Sequence, residues 1–261
     1  MTGDGGRMAE PPGNPPTTWS ALFAGGREGA NAKEFLTLVT PSALKNVNLP
    51  EREAGSLCEM LSVALVLCDP TEGRALAEPL SRLAGPALQQ VSEDFDDLRP
   101  EEVVNVLSFV NAQECAGVVE GLLARAPVEA WLEALMKARR TLHEELAYRC
   151  GLVALALGTP ELAARFVGGG KLSQDFTPGQ TFGFNVQGFV RYLAAARLRK
   201  APAQDVRPAW ETFVEAFPLK SAASTLEWKD LFWAARAYFV GVEGRPVARV
   251  GEALHAQVKP A

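Results

Sequence analysis

The stretch that most constrains this chain is Leu142 to Val167, LHEELAYRCGLVALALGTPELAARFV. Leu142, Leu146, Cys150, Val153 and Leu157 fall on one helical stripe and Tyr148, Leu152 and Leu155 on a second, so the helix is apolar on two sides. A helix of that kind must be covered by protein on both sides, which calls for further helices around it. Gly158 suits the left-handed position past the helix end, Thr159 a cap and Pro160 a first turn. The chain is therefore expected to reverse here, and a second helix carries Leu162, Phe166 and Val167.

The same unit recurs. Between Glu51 and Cys68 the stripe Leu57, Leu61, Leu65, Cys68 is doubled by Met60, Val63 and Leu67, and Asp69-Pro70-Thr71-Glu72 then caps an amphipathic run with Leu76, Leu80 and Leu83. Gly85-Pro86 marks a break before Leu88 and Val91, an acidic turn spans Glu93 to Asp97, and Pro100 opens a helix with Val103, Val106, Leu107 and Val110. A helix through Val118, Val119, Leu122 and Leu123 is expected next. Pro127 opens another with Trp131, Leu132 and Leu135, which ends on the basic Lys137-Ala138-Arg139-Arg140. After residue 188 come a run with Phe189, Leu193 and Leu198, the joint Ala201-Pro202, and a helix opened by Pro208 that carries Trp210, Phe213, Val214 and Phe217. Ser224-Thr225-Leu226-Glu227 is a capping box before Trp228, Phe232, Ala235 and Phe239, and Gly244-Arg245-Pro246 turns the chain into Val247, Val250, Leu254 and Val258. The joints are irregularly spaced. The expectation is an all-α fold, an irregular stack of antiparallel helix hairpins, as a degenerate helical repeat or a globular helical bundle.

Residues 1–18 are rich in Gly and Pro without apolar periodicity and are expected to be a disordered leader, with Trp19, Leu22 and Phe23 placed to dock it. Asn31 to Val39 opens with a capping-box-like Asn31 and Glu34. Residues 19–261 then form one α-helical domain, and 168–188 is where two lobes would divide. A chain of 261 residues with 48% apolar residues closes a sizeable core without staples. Cys58, Cys68, Cys115 and Cys150 lie inside apolar helical runs with no paired spacing, which fits small core residues in a reducing compartment and argues against a zinc site or a disulfide framework. There is no signal-like apolar segment and no run of roughly 18 apolar residues, so a cytoplasmic protein with no membrane partner is expected. A net charge of -5 without a basic stripe argues against a nucleic-acid partner.

Three motifs fail on inspection. Gly168-Gly169-Gly170-Lys171 lacks the leading Gly (Arg165 stands there) and the Ser or Thr (Leu172) of a phosphate loop. His143-Glu144-Glu145 would need a second His at Ala147 to hold zinc. The acidic group Asp94, Asp96, Asp97, Glu101, Glu102 has only part of the aspartate pattern with which all-α synthases hold magnesium; it reads as a solvated turn leading into a helix N-terminus. With two histidines in the chain and no nucleophile in a recognisable setting, no catalytic residue, metal ligand or cofactor is assigned. An all-α enzyme built on the acidic turn 93–102 stays as the remote alternative.

The candidate binding surface is the long irregular stretch from Gly168 to Gly188, which sets Phe176, Phe182 and Phe184 among Lys171, Gln174, Asp175 and Gln180. It competes with a cover over a helical groove. Within the dense aromatic set of Trp210, Phe213, Phe217, Trp228, Phe232, Trp233, Tyr238 and Phe239, most members have core spacing. Trp233 lies off the Trp228, Phe232, Phe239 stripe and is the member expected to face a groove or a partner. The joints Leu155-Ala156-Leu157-Gly158-Thr159-Pro160-Glu161-Leu162-Ala163 and Val242-Glu243-Gly244-Arg245-Pro246-Val247-Ala248 resemble those of helical-repeat proteins, including the all-helical immunity proteins that neutralise bacterial polymorphic toxins. That resemblance implies an acidic, non-catalytic protein that binds a partner protein, as an adaptor or an immunity-type inhibitor. A small-molecule sensor with a cavity between helices is the alternative.

Overall fold

A computed structural model describes residues 58, 61, 62, 65, 70–137, 142–167, 186–216 and 228–257. The leader, the helix expected at Asn31 to Val39, Cys68, the 168–185 segment and the capping box at Ser224 to Glu227 lie outside the described residues. The protein is all-α, with no strand among the described residues. Its helices are α1 (Pro70–Asp94), α2 (Pro100–Cys115), the single turn α3 (Leu122–Arg125), α4 (Val128–Lys137), α5 (Glu144–Ala156), α6 (Pro160–Phe166), α7 (Val186–Leu198), α8 (Ala203–Ala216), α9 (Trp228–Phe239) and α10 (Val250–Gln257), with a 3-10 turn at Val247–Arg249.

The two-sided helix is the hub. Every residue of α5 from Leu146 to Ala156 except Arg149 is buried, and α6, α7 and α9 all pack on it. It ends as its sequence predicts: Gly158 is left-handed at φ 88°, the Gly158 amide donates to Leu155 at 3.2 Å and the Thr159 amide to Ala154 at 2.9 Å. One detail differs from expectation. The Thr159 hydroxyl does not cap α6 but turns back to donate to the Ala154 carbonyl at 3.0 Å, because the unsatisfied carbonyls of α5 are the nearer acceptors.

Several expected boundaries are corrected. Gly85-Pro86 does not break α1, which runs through both Pro79 and Pro86. The two prolines sit two turns apart on the exposed face, so the carbonyls that lose a donor, on Ala75 and Arg82, belong to exposed residues within reach of water. On the opposite face Ala77, Leu80, Ala84, Ala87, Leu88 and Val91 are buried, and that burial holds the helix together. Pro208 likewise lies inside α8, which starts at Ala203, and the carbonyl it leaves free belongs to the exposed Gln204. Val118 and Val119 are not helical. They occupy a turn after α2, where Gly117 at φ 68° repeats the ending seen at Gly158.

One continuous apolar core runs through the described residues and joins Leu162 and Phe166 of α6 to Phe189 and Val190 of α7. The aromatic residues form its densest part. Phe189 stacks on Phe213 with ring centroids 4.4 Å apart, and Trp210 lies flat on Tyr238 at 5.0 Å and edge-on to Phe239 at 5.3 Å, so α7, α8 and α9 are joined through rings.

Candidate functional site

Of the residues singled out from the sequence, Lys171, Gln174, Asp175, Phe176, Gln180, Phe182 and Phe184 lie outside the described residues. Trp233 is described, and its expected place is corrected: it is 1% exposed, inside the protein. The cause is that α9 packs against α2, α5 and α10 and meets α8 through rings, so every residue from Lys229 to Phe239 is buried and the helix has no open face. The indole Nε1 of Trp233 donates to Ser108 Oγ at 2.8 Å.

That contact is one rung of a polar ladder between α2 and α9. Lys229 Nζ donates to Asn105 Oδ1 at 3.1 Å, Trp233 to Ser108, and Arg236 Nη1 to Asn111 Oδ1 at 3.1 Å and to Glu114 Oε2 at 2.6 Å. The partners ascend together in number, so these two helices, distant in sequence, run in the same direction. Glu114 also accepts from the Leu123 amide at 3.0 Å, which ties α3 to the ladder's end. Ser108, Asn111, Gln113, Glu114 and Arg236 are all buried. Asn111 Nδ2, Arg236 Nε and both amide atoms of Gln113 have no hydrogen-bond partner among the described residues. The ladder is enclosed, and what it supplies is register between α2 and α9.

A second group is open to solvent. Gly158, Pro160 and Glu161 at the α5–α6 joint, Ala196, Arg197, Leu198, Lys200 and Ala201 at the end of α7, Val206 of α8, and Gly241 and Val242 after α9 line an open cleft of roughly 460 Å³, within the usual size of a ligand site. Arg197 and Lys200 line it. A Cβ built on Gly241 would lie 3.0 Å from Arg197 Nη1 and 2.5 Å from the Ala237 carbonyl, so only glycine lets the guanidinium close on the backbone there. Lys200 is left-handed at φ 54°, and its helix ends by the same two hydrogen bonds as α2 and α5, with Lys200 donating to Arg197 at 3.0 Å and Ala201 to Ala196 at 2.9 Å. Where α2 and α5 use glycine, α7 uses lysine. Leu198, 38% exposed, is the large apolar side chain left in solvent among the described residues.

The remaining polar clusters are self-contained. Tyr148 Oη accepts from Gln187 Nε2 and from Arg191 Nη2 at 2.7 Å and donates to Glu144, while the Arg191 guanidinium lies 5.4 Å from the Tyr148 ring centre. Arg149 bridges Asp230 at 3.1 Å and Glu145 at 2.9 Å. Burial pushes the Cys115 and Cys150 thiols up to about 12, which leaves them protonated and unreactive at neutral pH. The Tyr238 hydroxyl is also pushed up to about 12, by burial and by the bond it donates to Glu243. In the acidic turn Asp94, Asp96, Asp97 and Glu101 are exposed, and Glu102 caps α2 by accepting from the Arg99 amide at 2.8 Å and its guanidinium at 2.6 Å. Among the described residues no three His, Cys, Asp or Glu side chains gather as metal ligands, and no helix is long and apolar enough to cross a membrane.

The sequence reading missed both groups. The ladder's signal was polar residues recurring every third position, Asn105, Ser108, Asn111 and Glu114, in an otherwise apolar helix; the cleft's was the basic run Arg197-Leu198-Arg199-Lys200. No protein-family model, curated protein or solved structure matches the chain.

Proposed function

We propose that this is a non-catalytic protein-interaction module, an adaptor or an immunity-type inhibitor, that engages its partner protein at the end of α7. The observation that carries the reading is the exposed Leu198 set between Arg197, Arg199 and Lys200 on a chain of net charge -5. Exposed apolar surface on a basic helix end suits a partner with an acidic rim, and guanidinium groups are favoured at such contacts. The groups that could do chemistry point the same way: the described thiols are enclosed, and Glu114 and Arg236 are spent on each other.

Affinity capture from native cells with the parent protein and with Leu198→Ser tests this. A protein recovered by the parent and lost from the variant is the expected result. Recovery of no protein, together with turnover of a small substrate by the purified chain, would overturn it. The cleft itself favours a second reading, a small-molecule sensor, whose mark is a ligand-dependent rise in Tm without any captured protein.

A further inference from the structure

Arg197 and Lys200 line the cleft. Neither makes a side-chain hydrogen bond or an ion pair among the described residues, although Glu161 lines the same cleft. A guanidinium with no protein acceptor keeps its fork of donors for water or for an incoming anion. Arg197 and Lys200 both complement the dipole at the end of α7, although the position past the helix end is one where glycine has no steric cost. A lysine held at φ 54° is a strained choice that α2 and α5 avoid with Gly117 and Gly158. Lys200 and Arg197 line one cleft, together with Leu198, Val206 and Val242.

We infer that the cleft is an oxyanion site: a carboxylate or phosphate group seats between Arg197 and Lys200, with an apolar neighbour on Leu198 and Val242. This rests on the proposed function and deepens it, since the oxyanion is then an acidic side chain of the partner. A planar guanidinium takes such a group through two parallel hydrogen bonds, and the ammonium adds a point charge.

Isothermal titration of the full chain tests the inference with three probes: inorganic phosphate, a blocked tetrapeptide alternating Glu and Leu, and the same peptide with Gln for Glu. The expected result is that the Glu peptide binds best, the Gln peptide at least about tenfold more weakly, and the Glu peptide at least about tenfold more weakly to Lys200→Gly and to Arg197→Gln. Lys200→Gly relieves backbone strain, so its Tm without ligand should equal or exceed that of the parent, which separates lost binding from lost folding. Phosphate bound as tightly as the Glu peptide, and lost in both variants, would keep the oxyanion site while assigning it to a free anion, against the partner-protein reading. If no probe binds the parent, or if both variants bind as the parent does, the inference is wrong.

Discussion

Arg236 and Arg197 occupy the last turns of two helices, α9 and α7, and the protein uses them in opposite ways. Arg236 is 5% exposed and donates to Glu114 at 2.6 Å and Asn111 at 3.1 Å, so its charge is neutralised inside the core. Arg197 is half-buried, rests against Gly241 and meets no carboxylate among the described residues. The two side chains are chemically identical, and the difference lies in what the fold brings opposite each. A helix packed on several sides converts a cation into a register pin, whereas a helix that ends at a cleft leaves its cation available to an outside group. The first arrangement resists change, and the second tolerates it.

The contrast is broken most forcefully at Arg236. Arg236→Met leaves Glu114 buried without its partner and should cost about 3–5 kcal/mol in urea unfolding followed by circular dichroism. Adding Glu114→Leu to that variant removes the stranded charge and should recover much of the loss. A double variant no more stable than Arg236→Met alone would mean that losing the acceptor of the Leu123 amide outweighs removing the stranded charge.

The sealed interior should also show in its thiols. In the folded protein Cys115 and Cys150 are raised by burial from about 9 to about 12, so the unfolded chain releases these protons first as pH rises. Their contribution to stability is complete below pH 9 and is lost progressively between pH 9 and 12. Unfolding free energies measured from pH 7 to 10 should therefore fall, and less steeply in Cys115→Ala/Cys150→Ala. An unchanged slope would place the alkaline sensitivity elsewhere.

At the middle rung, Trp233→Phe keeps a buried ring but removes the donor to Ser108. The expected loss is about 1–3 kcal/mol in the same unfolding assay, with capture of any partner unaffected. Lost binding with full stability would return Trp233 to the surface role that its burial excludes.

The smallest expected effect has the opposite sign. Lys200→Gly should stabilise the protein by about 1 kcal/mol or less, read as a higher Tm in calorimetry, because the left-handed position no longer carries a Cβ. A fall in Tm would mean that Lys200 contributes packing that its strained backbone conceals.

Much of the helical content was written in local pattern. The double stripe from Leu146 to Leu157 foretold a covered central helix, Gly158 its left-handed end, and Pro100 and Pro160 the starts of α2 and α6, because spacing, caps and turn residues act over a few neighbouring positions. Proline was overread at Pro86 and Pro208. Both, like Pro79, stay inside helices because each falls where the carbonyl it orphans belongs to an exposed residue, and that depends on which side the core lies.

The sequence by itself determined the all-α class, the buried setting of the described cysteines and the amphipathic helices, since each follows from periodicity and composition. Only the tertiary structure decided that α2 and α9 lie side by side, which buried Trp233 and joined Arg236 to Glu114 across more than a hundred residues of chain. It likewise decided that the Arg197–Lys200 run meets Gly241 and Val242 across a cleft instead of lying on a bare helix end. The physical reason is common to both. A side chain's partner from a distant helix is set by how whole helices share out buried area, and that competition is global, so no local window of residues carries its outcome.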